Sequence, residues 1–439
     1  MFKLQYNTRV CFFRHLKFSI GYTIESKHPS ISRAASKSVV VDGKSYTEDE
    51  YTNVTPKILS FIGTNNHNRC GHPLNLFKQR LVDFFYDHFR GRTGNPIFSI
   101  YDKINPVVTT NENFDSLLVP KDHPSRNKTD SYYLNKTHML RAHCTAHQSE
   151  LIKMGLDNFV VFGDVYRRDE IDATHYPVFH QADGVHIFTP NELELIYGTN
   201  VNVFDNDNNN SNNEKQGVYS KEANEIVTDH LKKTLVTMIK KVFGEEIEYR
   251  WVSEYFPFTH PSFELEINYN GQWIEALGCG VIRHEILKNA GAGNRIGWAF
   301  GLGLERLAMP FYSIPDIRLF WSKDSGFLNQ FQNLPKDGRM KYKPISIYPQ
   351  CINDISFWLP KEKPFCSNDF YELVGNYGGQ LVEQVKLIDQ FKHPKTGNVS
   401  HCYRIVYRHL EKTLSQAEVN EVHKLIEINA TQILGVKLR

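Results

Sequence analysis

Three segments carry residue types able to handle a nucleotide and an aromatic ligand. The first, Val161–Val185, reads VFGDVYRRDEIDATHYPVFHQADGV. Arg167 and Asp169 close one β-prone run, and His175, Phe179, Gln181 and Asp183 follow into the next. Alternate residues of a strand share a face, so Phe179, Gln181 and Asp183 line one surface. A ring, an amide and a carboxylate there can stack a base and hold an ammonium. An arginine across the ladder can clamp phosphate and carboxylate oxygens through charge-assisted hydrogen bonds. The same residues would also suit an ordinary solvated hairpin.

The second segment is Gly297–Met309, GWAFGLGLERLAM. Its glycines lead from a strand into a helix carrying Glu305 and Arg306, and a Gly-rich approach lets backbone lie close to a nucleotide while Arg306 meets a γ-phosphate. It has neither the spacing nor the lysine of a P-loop, and a helix-packing seam is its plainer reading. The third is Trp251–Glu266, WVSEYFPFTHPSFELE. Phe256 and Phe258 flank Pro257 and point the same way in extended chain, so they can wall a pocket one aromatic ring wide or simply pack a core.

The elements around these segments follow from periodicity. Leu74, Phe77, Leu81, Phe84, Phe85 and His88 fall on one helical face after Pro73, with Gly91 as a stop. Pro96 to Thr110 reads as extended chain, Thr137–Met154 as a long helix, and Phe159–Arg167 with Val178–Phe188 as an antiparallel pair. Lys221–Val242 reads as a helix. Ile247–Trp251, Phe263–Tyr269 and Gln272–Leu277 read as strands ahead of the Gly-rich stretch Gly278–Gly303. After a polar linker, 335–344, six elements follow in the order strand, helix, strand, strand, helix, strand. They are Ile345–Leu359, Asn368–Tyr377, Leu381–Phe391, His401–Leu410, Ser415–Leu434 and Val436–Leu438, an order that fits a ferredoxin-like split βαβ module. Ser415 and Glu418 give its last helix a capping-box start.

The 439 residues suit two or three domains. No apolar run approaches the ~20 residues of a membrane helix, so no membrane partner is expected. A net charge of +2 means that any RNA must meet local basic patches. Seven cysteines with no C-x-x-C pair argue against a disulfide framework. His143 and His147 flank Cys144, but no convincing zinc spacing appears. Residues 1–41 hold seven Lys/Arg against one acid, Glu25, and are rich in serine, the composition of an organellar transit peptide. Residues 205–214, DNDNNNSNNE, hold six Asn in ten and read as a disordered surface insertion.

Arg167, Asp169 and Phe179 resemble motif 2 of the class II aminoacyl-tRNA synthetases. Gly301-Leu302-Gly303-Leu304-Glu305-Arg306 resembles motif 3, and the helix from His72 leading to Pro106 resembles motif 1. Phe256–Pro261 is similar to the phenylalanine-pocket segment of phenylalanyl-tRNA synthetases, and Thr137–Gln148, THMLRAHCTAHQ, to their substrate-contacting helix. The carboxyl module resembles the anticodon-binding domain fused to the catalytic domain in the organellar, single-chain branch of that family. The likeness runs from about Asn53 to Arg439.

The resemblance implies an α+β fold: a class II antiparallel sheet flanked by helices (42–334) and a C-terminal ferredoxin-like anticodon-binding domain (345–439). It implies Arg167 on the ATP α-phosphate and substrate carboxylate, Arg306 on the γ-phosphate, and Phe179 stacked on adenine near Thr174, His175 and Tyr176. His143, Thr145, Gln181 and Asp183 would hold the ammonium and nearby polar atoms, with Ala146, His147, Gln148 and Ala182 beside them. Phe256 and Phe258 would contact the phenyl ring over a floor of Ala299 and Phe300, and Glu275 would lie near Mg2+ or ATP. The implied partners are phenylalanine, ATP and tRNA(Phe), in a monomeric enzyme of the mitochondrial matrix. Two residues depart from the pattern, Asp169 and Asp183, each standing where a Glu is usual. Arg404, Tyr407, Arg408 and Lys412 are the candidates for anticodon contact. A silent paralogue is disfavoured by the presence of Arg167, Phe179 and Arg306. A synthetase for another amino acid is opposed by the Phe-Pro-Phe segment and the carboxyl module.

Overall fold

Pro73 at the first helical position and His72, whose Nδ1 accepts from Leu74 N at 3.2 Å, start helix α1 (Pro73–His88). Its apolar stripe, Leu74, Phe77, Leu81, Phe84 and Phe85, is buried. A second long helix (α3, Lys221–Phe243) is capped by Ser220 and ends at Gly244. Both helices cover one face of a sheet whose seven strands are β1 (Ser99–Tyr101), β2 (Asn158–Tyr166), β3 (Val178–Phe188), β4 (Glu248–Glu254), β5 (Thr259–Tyr269), β6 (Gln272–Ile282) and β7 (Ile296–Gly303). The order across it is β1-β2-β3-β7-β6-β5-β4, antiparallel except for the short β1 beside β2. The computed structural model describes residues 37–197, 201–205, 218–323, 325–335, 338–343, 348–361, 363–409 and 412–439.

The expected leader from 1 to 36, residues 206–214 of the Asn-rich segment, and positions 336, 337 and 344 of the linker lie outside the described residues. Ser38–Val41 pairs with Lys44–Thr47 and Val41 is buried, so folded chain already occupies the end of the leader range. The strand expected from Gln272 to Leu277 runs on to Ile282, and the Gly-rich stretch contains a short helix, His284–Asn289, before β7.

The long helix expected over Thr137–Met154 is not formed. His138–Leu140 is a strand paired with Val107–Thr109, Cys144–His147 is a 3-10 turn, and only α2 (Gln148–Lys153) is α-helical. The reason is Arg141, whose side chain is 1% exposed. Its guanidinium donates to Asp164 O at 2.7 Å, Asp164 Oδ1 at 2.8 Å and Ile104 O at 3.3 Å, and lies 2.9 Å from His147 Nε2. Asp164 also accepts from Tyr166 OH. Leaving that charge unpaired inside would cost more than a few helical hydrogen bonds return, so the segment bends to satisfy it.

Helix α4 (Leu304–Tyr312) follows β7 directly. Buried Glu305 accepts from His180 N at 2.8 Å and lies 2.6 Å from His180 Nδ1, tying the helix start to β3. The carboxyl module follows the expected order: β8 (Cys351–Trp358), α5 (Ser367–Gly378), β9 (Val382–Lys392), β10 (Val399–Tyr407), α6 (Gln416–Leu434) and β11 (Lys437–Leu438). Its sheet order, β9-β10-β8-β11, is that of a split βαβ fold. Both halves of the Ser415–Glu418 capping box are present. Arg168 binds Asp369 (2.9 Å) and Glu372 (2.5 Å) of α5, Lys57 donates to Gly375 O, and Val385 N donates to Ile171 O. The module therefore packs on the β2–β3 connection.

Arg141→Met, which strands the buried Asp164 carboxylate, is expected to destabilise the protein by about 3–5 kcal/mol. The double variant Arg141→Met/Asp164→Leu should lose clearly less. Urea midpoints at constant slope check both, and equal losses would refute the pairing argument.

Candidate active site

Strand register builds the site. On one face of the sheet a row runs Val161–Asp183–Gly301–Gly278–Glu264, and beside it another runs Phe159–Val185–Ala299–Gly280–Ser262. Glycines in the middle of these rows hollow the face. A Cβ on Gly301 would sit 2.9 Å from Asp183 Oδ1, and one on Gly278 would sit 2.8 Å from the Phe256 ring. The result is a cavity of about 560 Å³ lined by His143, Thr145, Gln148, Arg167, Gln181, Asp183, Phe256, Phe258, Glu275, Ala299 and Phe300, among others.

The polar side of this cavity has uncommitted atoms. Thr145 Oγ1 donates to Asp183 Oδ2 at 2.7 Å. Asp183 Oδ1, Gln181 Oε1 and His143 Nδ1 are buried without a hydrogen-bond partner. Buried polar atoms in that state mark a place prepared for a ligand's donors and acceptors. Burial pushes the Asp183 carboxyl up to about 6, against opposing hydrogen bonds from Thr145 and the charge of Arg167. Burial and Arg167 hold His143 down at about 3, so its ring is neutral. Arg167 donates Nε–H to Ala142 O at 2.8 Å and lies 5.2 Å from the Phe179 ring centroid. Burial lowers its pKa and the Asp183, Asp169 and Glu275 charges raise it, and a guanidinium stays protonated regardless.

The apolar side is made by Phe256 and Phe258, whose rings are nearly parallel (7°) with centroids 5.8 Å apart. Two strand spacings separate Asp183 from Gly278, which Phe256 covers, a gap of roughly 10 Å. That gap suits one amino acid with an aromatic side chain. At the open edge Arg306 pairs with Glu275 at 2.5 Å. Glu264 lies nearby, its carboxyl raised by burial and by the Glu275, Glu254 and Glu266 charges. Carboxylates that repel one another favour a neighbouring cation, and Mg2+ takes one or two carboxylates plus phosphate oxygens. Glu275 and Glu264 fit that role.

Other sequence candidates lie elsewhere. Ala182 faces the helix side of β3, as does the Phe300 ring, which stacks on Phe85 (5.7 Å, 3°) although its backbone borders the cavity. His147 serves Arg141, with burial holding it at about 3, and Ala146 packs beside Phe114 and Met139. Thr174 and His175 form a turn on Asp172, and Tyr176 is wedged against Trp321 and Phe61. The sequence reading missed Asn368, which reaches the cavity from the carboxyl module while donating to Thr129 O at 2.8 Å. It also missed the Arg141–Asp164 pair. Partners 23 or more residues apart leave no local signal. Tyr407, a candidate for anticodon contact, is fully buried under α6 and bonds His423, because odd-numbered residues of β10 face the helices.

A helix-flanked antiparallel sheet holding an arginine over an aromatic ring, with glycine-led Glu305–Arg306 behind it, defines a class II tRNA synthetase core. A family model described as tRNA synthetases class II core domain (F) matches residues 59–206 and 214–331, and the ferredoxin-fold anticodon binding domain matches 346–439. Chains named as mitochondrial phenylalanine–tRNA ligases are similar throughout. The Drosophila melanogaster protein, described as probable, is 51% identical over 97% of this chain and 98% of its own. The Mus musculus protein is 54% identical over 90% and 88%, and the Saccharomyces cerevisiae protein 38% over 91% and 95%. The chain belongs to the phenylalanine–tRNA ligase family of class II synthetases.

Asp183 carries a folded pKa of about 6, above the ~3.9 of an unfolded aspartate. Its stabilising contribution is complete below the unfolded value and is lost as pH rises through 6. Asp183→Asn should therefore stabilise the ligand-free protein by roughly 2 kcal/mol at pH 8, with the gain fading through pH 6 to nothing near pH 4. Thermal melts across that range check it, and a pH-independent gain would assign the effect elsewhere.

Proposed function

We propose that this chain activates phenylalanine with ATP and transfers it to tRNA(Phe) in the mitochondrial matrix. The observation that carries the reading is the pairing, in one cavity, of three unpartnered polar atoms with two parallel phenyl rings. Asp183, Gln181, His143 and Thr145 hold the ammonium, and Phe256 and Phe258 enclose the ring over Ala299. The phenylalanine carboxylate attacks the ATP α-phosphorus, forming a carboxyl–phosphate bond and expelling pyrophosphate. Arg167 takes the α-phosphate and carboxylate oxygens, and Phe179 offers a face to adenine. Arg306, freed from Glu275, takes the γ-phosphate. Glu275 and Glu264 would hold Mg2+, which would supply neutralisation of phosphate charge. A terminal tRNA ribose 2′-hydroxyl then attacks the carbonyl and releases AMP.

No protein nucleophile is required. Positioning and electrostatic stabilisation carry both steps. Asp183 is one methylene shorter than a Glu, and its bond from Thr145 sets it toward the cavity. The basic, Ser-rich leader serves import, residues 335–344 link the two domains, and the fused anticodon module lets the chain work as a monomer.

Phenylalanine-dependent ATP–pyrophosphate exchange on protein lacking the leader tests the reading, with tyrosine and histidine as controls. Arg167→Ala should lower exchange on the order of 100- to 1,000-fold. An apolar pocket rejects an added hydroxyl only modestly, so tyrosine should be disfavoured on the order of 100-fold. No exchange with any amino acid from folded protein would overturn the proposal, and a ratio far above 100 would overturn the dry-pocket account.

A further inference from the structure

Strand β7 pairs with β3 from Ile296, opposite Phe188, to Gly303, opposite Gln181, and stops there because the chain turns into α4 at Leu304. Phe179 and His180 lie past that end. Strand β2 still pairs with them, through Val165 and Asp164, but among the described residues no strand pairs with them on the β7 side. This short stretch nonetheless carries Phe179, read above as the adenine platform.

A side chain takes over where the ladder ends. Glu305, buried in the first turn of α4, accepts from His180 N at 2.8 Å through Oε2, and its Oε1 lies 2.6 Å from His180 Nδ1. His180 is fully buried, and its Nε2 has no hydrogen-bond partner, so among the described residues Glu305 is the one hydrogen-bond contact of the ring. Trp321 stacks on that ring at 5.6 Å (24°), and the His67 ring lies 5.1 Å away. Stacking tolerates rotation of a ring in its own plane, whereas hydrogen bonds are directional, so the two-oxygen fork of Glu305 sets both the ring and the backbone of β3. Neighbours alternate on both sides of this contact. Phe179 and Gln181 take the face opposite to His180, and Arg306, next to Glu305, turns to Glu275 at the open edge. The Glu305–His180 fork therefore joins Arg306 to Phe179 through one residue on each side.

We propose that Glu305 is a positioning residue for ATP: its fork on His180 fixes the spacing between the Phe179 face and the Arg306 guanidinium, so that one nucleotide reaches both. The inference rests on the reading above, which puts adenine on Phe179 and the γ-phosphate on Arg306, and adds the device that sets their separation. The physics is that of a two-point grip. With both anchors fixed, the second contact forms without further ordering cost. When the spacing drifts, a ligand that spans both anchors loses that advantage, and a ligand that uses only one keeps its affinity.

The test is phenylalanine-dependent ATP–pyrophosphate exchange with the full chain. Glu305→Gln keeps the length of the side chain and one acceptor and gives up the other, since an amide nitrogen only donates. It should raise the KM for ATP about tenfold, while the KM for phenylalanine and the inhibition constant of AMP, which has no γ-phosphate, stay within about twofold. A purely structural loss would lower the active fraction and leave all three constants alone, or loosen the site and raise all three. Should Glu305→Gln fail to fold, His180→Phe decides. It keeps the backbone N–H bond and the packing of a ring, removes the Nδ1 contact, and should show the same split at smaller size. An unchanged KM for ATP, or an equal rise for ATP and AMP, would overturn the positioning role. Wild-type protein that performs no exchange with any amino acid would instead overturn the reading beneath it.

Discussion

The guanidinium of Arg141 sits almost wholly inside the protein, and the backbone on both sides of the active site is arranged to satisfy it. Asp164 on β2, the Ile104 carbonyl and His147 all converge on it. Gly163 lies directly beneath it, where any side chain would collide with the guanidinium. A buried pair of this kind adds little net stability over an apolar substitute, but breaking it is costly. Its value here is geometric. It bends residues 141–148 into a strand end and a 3-10 turn, and that bend carries His143 and Thr145 to Asp183.

The second shared constraint is the emptiness of the sheet's midline. Gly301 on β7 lies opposite Gly278 on β6, with Gly280 two residues further along β6, so the cavity is a place where the sheet surface drops away. The two arginines that follow β2 take different partners. Arg167 turns to the cavity, while Arg168 turns to the acids of α5. One dipeptide thus serves ligand chemistry on one side and domain packing on the other.

Much of this was legible in the chain. The α1 stripe, the β2–β3 pair, the capping box at Ser415 and the order of the carboxyl elements rest on local periodicity and local caps, and the structure contains them. Arg167, Gln181 and Asp183 were legible from the β2–β3 pair and Phe256 and Phe258 from their places on either side of one proline, whereas His143, Thr145, Gln148, Glu275 and Ala299 came from the family resemblance. Failures arose where a partner is distant. Residues 137–154 show apolar spacing compatible with a helix, and the competing strand pairing with Val107–Thr109 is invisible locally. Tyr407 was misread for a different reason: period two assigns it with Tyr403 and Ile405 to the covered face, and Arg404 to the open one. Tyr176 of the Thr174–Tyr176 loop packs on Trp321, a contact 145 positions away that only the folded chain supplies.

The two sheets also end in a telling way. Among the described residues the outer strands of the two larger sheets are β1, with three residues, and β11, with two, or else the longer β4 and β9. The longer ones carry charge. Strand β4 presents Glu248, Arg250 and Glu254 outward, with Arg250 bonded sideways to Glu266, and β9 is broken by two bulges and bears Lys386, Asp389 and Lys392. Short, charged or bulged margins offer a poor template for a second chain's backbone. A protein with so much antiparallel sheet can therefore fold at high local concentration with little tendency toward edge-to-edge aggregation, a protection built into the strands farthest from the chemistry.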